Sequence, residues 1–345
     1  MNHHYSPRAI ARILDANLDR AREGLRIIEE WCRFGWQEVT LAATCKQLRQ
    51  ELARWHEPSL KAARDTPQDV GTVLSHPQEE QRHSVEQLLQ INLGRVQEAL
   101  RVLEEYGKLY RAEMGASFKQ MRYQVYTLES QILSYQRLEK LRSASLYLVT
   151  SPCENLLEVV EAALKGGLTL VQYRDKQTED YLRLDLARQL CQLCHQYQAL
   201  FIINDRVDLA LAVNADGVHL GQQDLPIATA RQLLGPQILI GRSTTNPGEM
   251  AQAIAEGADY IGVGPVYETP TKVKKATGLE YVAYAKEKAT IPWFAIGGID
   301  LENLLEVVQA GAKQVAVVRA IMQADNPTAV TQNLLQVLQS HLSSK

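Results

Sequence analysis

From Ser145 onward eight short apolar runs recur at intervals, and no other feature restricts the possible fold as strongly. They are Leu146–Thr150, Leu170–Arg174, Phe201–Asn204, Gly217–Leu220, Ile238–Ser243, Tyr260–Gly264, Trp293–Ile296 and Gln314–Val318. Near-continuous apolar runs of this length read as strands buried on both faces. Most are followed by an amphipathic helical stretch, although the one after the third run is short. Eight strand–helix units in roughly 200 residues match a compact (β/α)8 TIM barrel. A doubly wound open sheet is the competitor. It wants fewer strands and a Gly-rich turn after the first, and Thr150-Ser-Pro-Cys153 is not such a turn.

Before Ser145 the chain reads as helix almost throughout, so an all-α domain over 1–140 precedes a barrel over 141–345. The helical part contains a repeat. The segment from Leu14 to Glu30 aligns with that from Leu89 to Glu105, with identical pairs Asn17/Asn92, Arg20/Arg95, Glu23/Glu98, Arg26/Arg101, Glu29/Glu104 and Glu30/Glu105. A fainter echo follows each copy, Lys46-Gln-Leu-Arg49 and Lys119-Gln-Met-Arg122. The unit is a helical hairpin present twice, and two such hairpins can bury their apolar stripes as a pseudo-twofold four-helix arrangement. Leu14, Leu18, Leu25 and Ile28 are what any amphipathic helix needs. The polar pairs have no such requirement. They stand either as solvated ion pairs at i,i+3 or as a paired site at the pseudo-twofold. Between the copies lies Arg64-Asp-Thr-Pro-Gln-Asp-Val-Gly71, a charged turn-forming segment that either lines a phosphate site or bridges the hairpins.

In a barrel, reactive groups sit at the C-terminal strand ends, and polar residues collect at these. Strand two ends in Gln172-Tyr173-Arg174-Asp175-Lys176, strand three in Asn204-Asp205-Arg206, strand four in His219-Leu-Gly-Gln-Gln-Asp224 and strand five in Gly241-Arg-Ser243. Strand six leads into Gly264-Pro-Val-Tyr267 and the loop Thr269-Pro270-Thr271-Lys272, and strand seven ends in Gly297-Gly298. Asp205 and Asp224 follow neighbouring strands, within reach of one ion. Hard carboxylates with water and phosphate oxygens suit Mg²⁺. Each Asp could instead cap the next helix, as Asp224 before Leu225-Pro226 would do well; the adjacency of the two favours the metal. Arg174, Lys176 and Lys272 suit a diphosphate beside such an ion, Arg by bidentate bonds and Lys as a point charge. Lys272 also reads as part of a solvated loop, since Lys274 and Lys275 follow. The Thr269–Lys272 loop is lid-like. Gly297-Gly298 precedes strand eight, where barrels commonly seat a phosphate monoester on backbone N–H groups. No Ser-His-Asp set and no nucleophilic Cys occupies these ends. Ionising a diphosphate needs charge stabilisation more than proton transfer.

Composition narrows the partners. The net charge of -3 over 345 residues gives no reason to expect nucleic acid or an anionic membrane. No apolar run approaches the ~20 residues that span a bilayer. The N-terminus lacks an apolar signal region, and five cysteines without framework spacing suit a cytoplasmic setting. Cys191-Gln-Leu-Cys194-His195 matches a haem-attachment string, but it lies inside a helical run, where packing is the better reading.

Taken together, the strings at the strand ends closely resemble thiamine-phosphate synthase, in the family's order and spacing, from about Ser145 to the end. That resemblance implies that Gln172 to Lys176, Asn204, Ser243 and Lys272 bind hydroxymethylpyrimidine diphosphate, with Arg174, Lys176, Ser243 and Lys272 as catalytic groups. It implies Mg²⁺ on Asp205 and Asp224, and the thiazole phosphate on Thr269, Pro270, Thr271 and Gly297. Diphosphate would leave first and the thiazole nitrogen would attack the pyrimidine cation. The family commonly has Val-Ser after strand eight, where this chain has Val318-Arg319. A thiazole tautomerase of similar fold is the alternative, and it would not need the Asp pair or the diphosphate cations. The repeated Asn-Leu-x-Arg-x-x-Glu-x-Leu-Arg pattern resembles a helical module associated with hydroxymethylpyrimidine-phosphate kinases, although no P-loop string is present. Oligomerisation, as a homo-oligomer, or regulation is the other reading of that module.

Overall fold

A computed structural model describes residues 6–65, 82, 84–269 and 275–342. Two compact units divide it, residues 1–133 and 134–345. In the first, α1 (Pro7–Glu30) and α2 (Val39–Ala53) are followed by the short α3 (Pro58–Ala62), then α4 (Val85–Tyr110) and α5 (Ala112–Ser143). Pro sits at the start of α1 and α3, where its missing N–H costs nothing. Ser84 caps α4, its hydroxyl accepting from the Gln87 N–H at 3.1 Å. Leu14, Leu18, Leu25 and Ile28 on α1 and Leu89, Leu93, Val96, Leu100 and Leu103 on α4 are all buried, so the expected stripes form the core.

Three of the repeated polar pairs, Arg26/Arg101, Glu29/Glu104 and Glu30/Glu105, stand in ion pairs. Glu29 and Glu104, both buried, accept from Arg49 and Arg122 respectively, the two arginines of the fainter echo. Arg122 holds Glu104 at 3.0 Å through Nε and 2.9 Å through a terminal nitrogen. Arg26 reaches Glu29 and Glu30 as Arg101 reaches Glu104 and Glu105. The segment expected to line a phosphate site is only partly described. Arg64 pairs with Asp15 and Asp19 on α1, and residues 66–71 lie outside the described residues.

The second unit is a closed parallel barrel in the order β1 to β8. Its strands are β1 (Leu146–Val149), β2 (Leu170–Tyr173), β3 (Leu200–Asn204), β4 (Gly217–Leu220), β5 (Leu239–Thr244), β6 (Tyr260–Val263), β7 (Trp293–Ile296) and β8 (Val315–Val317). The eight apolar runs therefore name the strands to within a residue or two. Closure comes from β1 pairing with β8, Leu146 opposite Val315 and Leu148 opposite Val317. Alternation splits the strand residues into two layers. Leu146 and Leu148 join the layer under the helices, while Tyr147 and Val149 point inward with Leu170, Leu200, Ile202, Leu239, Tyr260 and Phe294. Leu141 packs into that inner layer too. The break in composition after Leu141 marks the end of α5, whereas packing assigns its residues from Ser134 onward to the barrel.

The haem-like string lies on the helix Asp180–Gln196. Cys194 is fully buried, and His195 Nε2 sits 2.9 Å from Asp216, so packing and an ion pair occupy these side chains. Among the described residues no helix is long and apolar enough to cross a membrane.

Candidate active site

The mouth at the C-terminal strand ends opens into a cavity of about 360 Å³. Gln172, Arg174, Asn204, Ser243, Thr269 and Gly297, all anticipated, line it. Arg319 lines it as well, exposed, at the start of the helix Arg319–Met322. Pro270, Thr271 and Lys272 lie outside the described residues. Tyr173 and Asp175 are not brought to the mouth. Tyr173 follows Gln172 on β2, so strand parity turns its ring outward into the layer under the helices. Asp175 folds back on its own loop, accepting from the N–H groups of Gln177 at 2.9 Å and Thr178 at 3.0 Å.

Asp205, Asp224 and Lys176 meet beside the cavity. Lys176 Nζ lies 2.6 Å from an Asp205 oxygen, and Asp224 accepts from the Gly221 N–H at 2.6 Å. Burial, then the facing Asp205 carboxylate, pushes the Asp224 carboxyl above the ordinary carboxylate range. Asp205 has a φ of 61°, in the left-handed region that few residues other than Gly, Asn and Asp adopt. Its N–H is held by the His219 carbonyl at 2.8 Å, so β4 fixes the turn that presents this carboxylate. Behind the loop carrying Asp224, the buried Arg242 donates to the carbonyl oxygens of Leu225 at 3.2 Å and Gln222 at 3.4 Å. No group of three or more His, Cys, Asp and Glu side chains forms a metal-binding set among the described residues. Two carboxylates facing each other, one with its pKa raised by burial and by the other, nevertheless fit a hard divalent ion whose remaining positions go to water and phosphate oxygens.

A chain of hydrogen bonds runs under the mouth. Gln172 Nε2 donates to the Tyr147 hydroxyl at 2.6 Å, which lies 2.9 Å from the Tyr260 hydroxyl. Tyr260 is 3.2 Å from His219 Nδ1, and His219 Nε2 is 2.9 Å from Ser243 Oγ. With the Gln172 amide as first donor, each hydroxyl donates onward and His219 carries its proton on Nε2. Burial raises both tyrosine hydroxyls well above their ordinary pKa, so they stay protonated donors. The chain joins two expected substrate contacts, Gln172 and Ser243. Tyr147 and Tyr260 went unnoticed because they lie within apolar strands. Their signal is parity with the inward positions together with a polar tip that burial obliges to find a partner.

At the far side, Gly297 has a φ of 109° and Gly298 of 67°. A β-carbon on Gly297 would stand 2.5 Å from Pro265 Cβ, so backbone alone fits between β7 and the loop after β6.

An eight-stranded parallel barrel with a polar mouth at its C-terminal strand ends, cations on one side and a bare glycine edge on the other, belongs to the class of phosphate-handling barrel enzymes. Comparison with known proteins narrows that class. The family described as thiamine monophosphate synthase matches residues 146–321, and the ThiD2 family matches residues 12–131. A thiamine-phosphate synthase of Nostoc sp. is 70% identical over 95% of this chain and 94% of its own, and one of Synechocystis sp. is 69% identical over 96% and 97%. The solved thiamine phosphate pyrophosphorylase of Pyrococcus furiosus superimposes with a TM-score of 0.55 at 37% identity, covering 59% of this chain and 98% of that one. The chain belongs to the thiamine-phosphate synthase family, with a ThiD2 domain at its N-terminus, and is an enzyme of thiamine biosynthesis.

Proposed function

We propose that the barrel joins hydroxymethylpyrimidine diphosphate to hydroxyethylthiazole phosphate, giving thiamine phosphate and diphosphate by a dissociative route. The observation that carries this reading is the meeting of Lys176, Asp205 and Asp224 beside a cavity that Arg174 and Gln172 line. Asp205 and Asp224 would hold Mg²⁺. When bound, that ion supplies positive charge against the leaving diphosphate. Arg174 binds the diphosphate oxygens bidentately, and Lys176, once released from Asp205, adds a point charge. The C–O bond to the pyrimidine methylene breaks with its electron pair going to the diphosphate. Gln172, Asn204 and Ser243 hold the pyrimidine ring meanwhile, Ser243 being oriented by His219. The thiazole nitrogen then forms the new C–N bond with its own lone pair. Lys272 would add a further charge against the pyrimidine diphosphate, while Thr269 with Pro270, Thr271 and the Gly297 edge would hold the thiazole phosphate, where Arg319 adds charge. The presence of the Asp pair speaks against a thiazole tautomerase. An end-point assay with both substrates and Mg²⁺ tests the reading, and absence of thiamine phosphate would refute it.

The helical part reads as a duplicated hairpin in a domain over 1–140, with the barrel over 141–345. The ThiD2 match and the repeated Arg and Glu favour a second activity there, phosphorylation of hydroxymethylpyrimidine phosphate. Conversion of that monophosphate by the full chain with ATP tests it, and no conversion discards it.

A further inference from the structure

Arg242 occupies a place where strand parity calls for an apolar side chain. On β5 its neighbours Gly241 and Ser243 face the inside of the barrel, beside Tyr260 and His219. The residue between them therefore points outward, into the layer under the helices. Its register partners are Leu220 on β4 and Ile261 on β6, both in the apolar core of that layer. Arg242 is buried there, and among the described residues it forms no ion pair. A buried cation without a counter-charge is costly, so its hydrogen bonds have to compensate.

Those bonds reach one loop. The guanidinium donates to the carbonyl oxygens of Gln222 at 3.4 Å and Leu225 at 3.2 Å, on either side of Asp224 in sequence. A planar fork of donors can span two carbonyls at once. Gln222 ties the same loop to β5 a second time, its Nε2 donating to the Ser243 carbonyl at 2.7 Å. The loop also closes on itself at Asp224. The Gly221 N–H donates to the Asp224 carboxylate at 2.6 Å, and the Asp224 N–H donates to the Gly221 carbonyl at 3.2 Å. A β-carbon on Gly221 would stand 2.9 Å from that carboxylate, so only a glycine lets the turn close so tightly.

We propose that Arg242 is a positioning residue for the cation site: with Gln222 it clamps the loop to β5 and so fixes the Asp224 carboxylate opposite Asp205. The inference rests on the reading of Asp205 and Asp224 as the Mg²⁺ ligands. Arg242 does not line the cavity, so its effect passes through the backbone of the loop rather than through contact with substrate. Groups that orient metal ligands from behind commonly change metal affinity by about tenfold or more.

The test uses the full chain and Mn²⁺ alone as probe, since Mn²⁺ takes oxygen ligands as Mg²⁺ does. Free Mn²⁺ is followed by its paramagnetic resonance signal, and the binding component lost in Asp224→Asn defines the site. Arg242→Met should weaken that component by about tenfold. Methionine suits the apolar layer, so the melting temperature should stay within about 4 °C of the wild type. A residue that only held the barrel together would give the opposite, lower melting with unchanged affinity, and that result overturns the proposal. Gln222→Met removes one tie and leaves the buried cation in place, and it should weaken the component by about threefold. It decides the matter if Arg242→Met fails to fold, and wild-type affinity in it would then overturn the clamp. If Asp224→Asn removes no component of Mn²⁺ binding, the cation-site reading fails and the inference falls with it. If Asp224→Asn removes one that Arg242→Met leaves intact, the role of Arg242 alone is refuted.

Discussion

Tyr260→Phe removes one oxygen atom from the inside of the barrel and leaves the ring in place, so its effect can be worked from the hydrogen bonds alone. The hydroxyl stands 2.9 Å from that of Tyr147 and 3.2 Å from His219 Nδ1, and Tyr147 and Tyr260 are both buried. Phenylalanine keeps the edge-on contacts with Tyr147 and Phe294, so packing changes little. Two hydrogen bonds are lost, each worth about 1 kcal/mol net. The Tyr147 proton is left without this acceptor in a dry interior, which costs about 1–2 kcal/mol more. The sum is about 3–4 kcal/mol. For a unit the size of the barrel each kcal/mol moves the melting temperature by about 2–4 °C, so a fall of about 6–16 °C is expected. His219 also loses the donor that fixes its proton on Nε2. Ser243 is then less well oriented, and kcat should fall more than KM rises. Thermal unfolding and steady-state kinetics of the one variant read both effects. A melting temperature within 2 °C of the wild type, with kcat unchanged, would refute the chain as a coupled unit.

Asp205→Ala should abolish Mg²⁺-dependent release of diphosphate, measured by a coupled colour assay; near-normal release would sink the metal assignment. Arg122→Met should cost about 1–3 kcal/mol by chemical denaturation of the helical part, because the buried Glu104 loses its two shortest bonds to a cation. His195 carries a pH signature. Its hydrogen bond to Asp216, then that to Cys191, raise its pKa from 6.5 to about 10 against the opposing effect of burial. A raised pKa stabilises the fold fully below the unfolded value and loses that contribution as pH rises through the folded one. His195→Gln should therefore destabilise by about 1 kcal/mol at pH 6, discounted for the ring's half exposure, and by almost nothing above pH 10. Melting curves at the two pH values check this, and an equal loss at both would count against the ion pair.

The barrel was legible because all eight strands are buried on both faces, and such strands announce themselves as apolar runs. Their C-terminal ends were legible for the opposite reason, since polar residues interrupt those runs only where the mouth opens. What the pattern could not supply was parity within the polar strings. Gln172, Tyr173, Arg174 and Asp175 look alike as a motif, yet alternation sends Gln172 to the cavity and Tyr173 to the helices, and local turn bonding takes Asp175. The reverse error hid Tyr147 and Tyr260, whose hydroxyls work inside a layer that sequence reads as simply apolar. In the helical part the repeat was plain, but ion pairing and cleft lining use the same residue types. Only the fold separates Glu29 and Glu104, which meet Arg49 and Arg122, from Glu23 and Glu98, which line a cleft between α1 and α4.

The pairing that closes the barrel has a consequence for how the chain is made. Leu146 and Val315 lie opposite each other at the seam, yet almost the entire barrel sequence separates them. Synthesis runs from the N-terminus, so β1 emerges first and waits for the last strand before its outer edge has a partner. Until then the growing sheet carries two open edges, lined with the apolar side chains that later fill the inner layer. Closure at long sequence distance is slow compared with local contacts. The period of greatest risk of mispairing between copies therefore ends only when Val315–Val317 is available, and any chain cut short before that point would be left with both edges exposed.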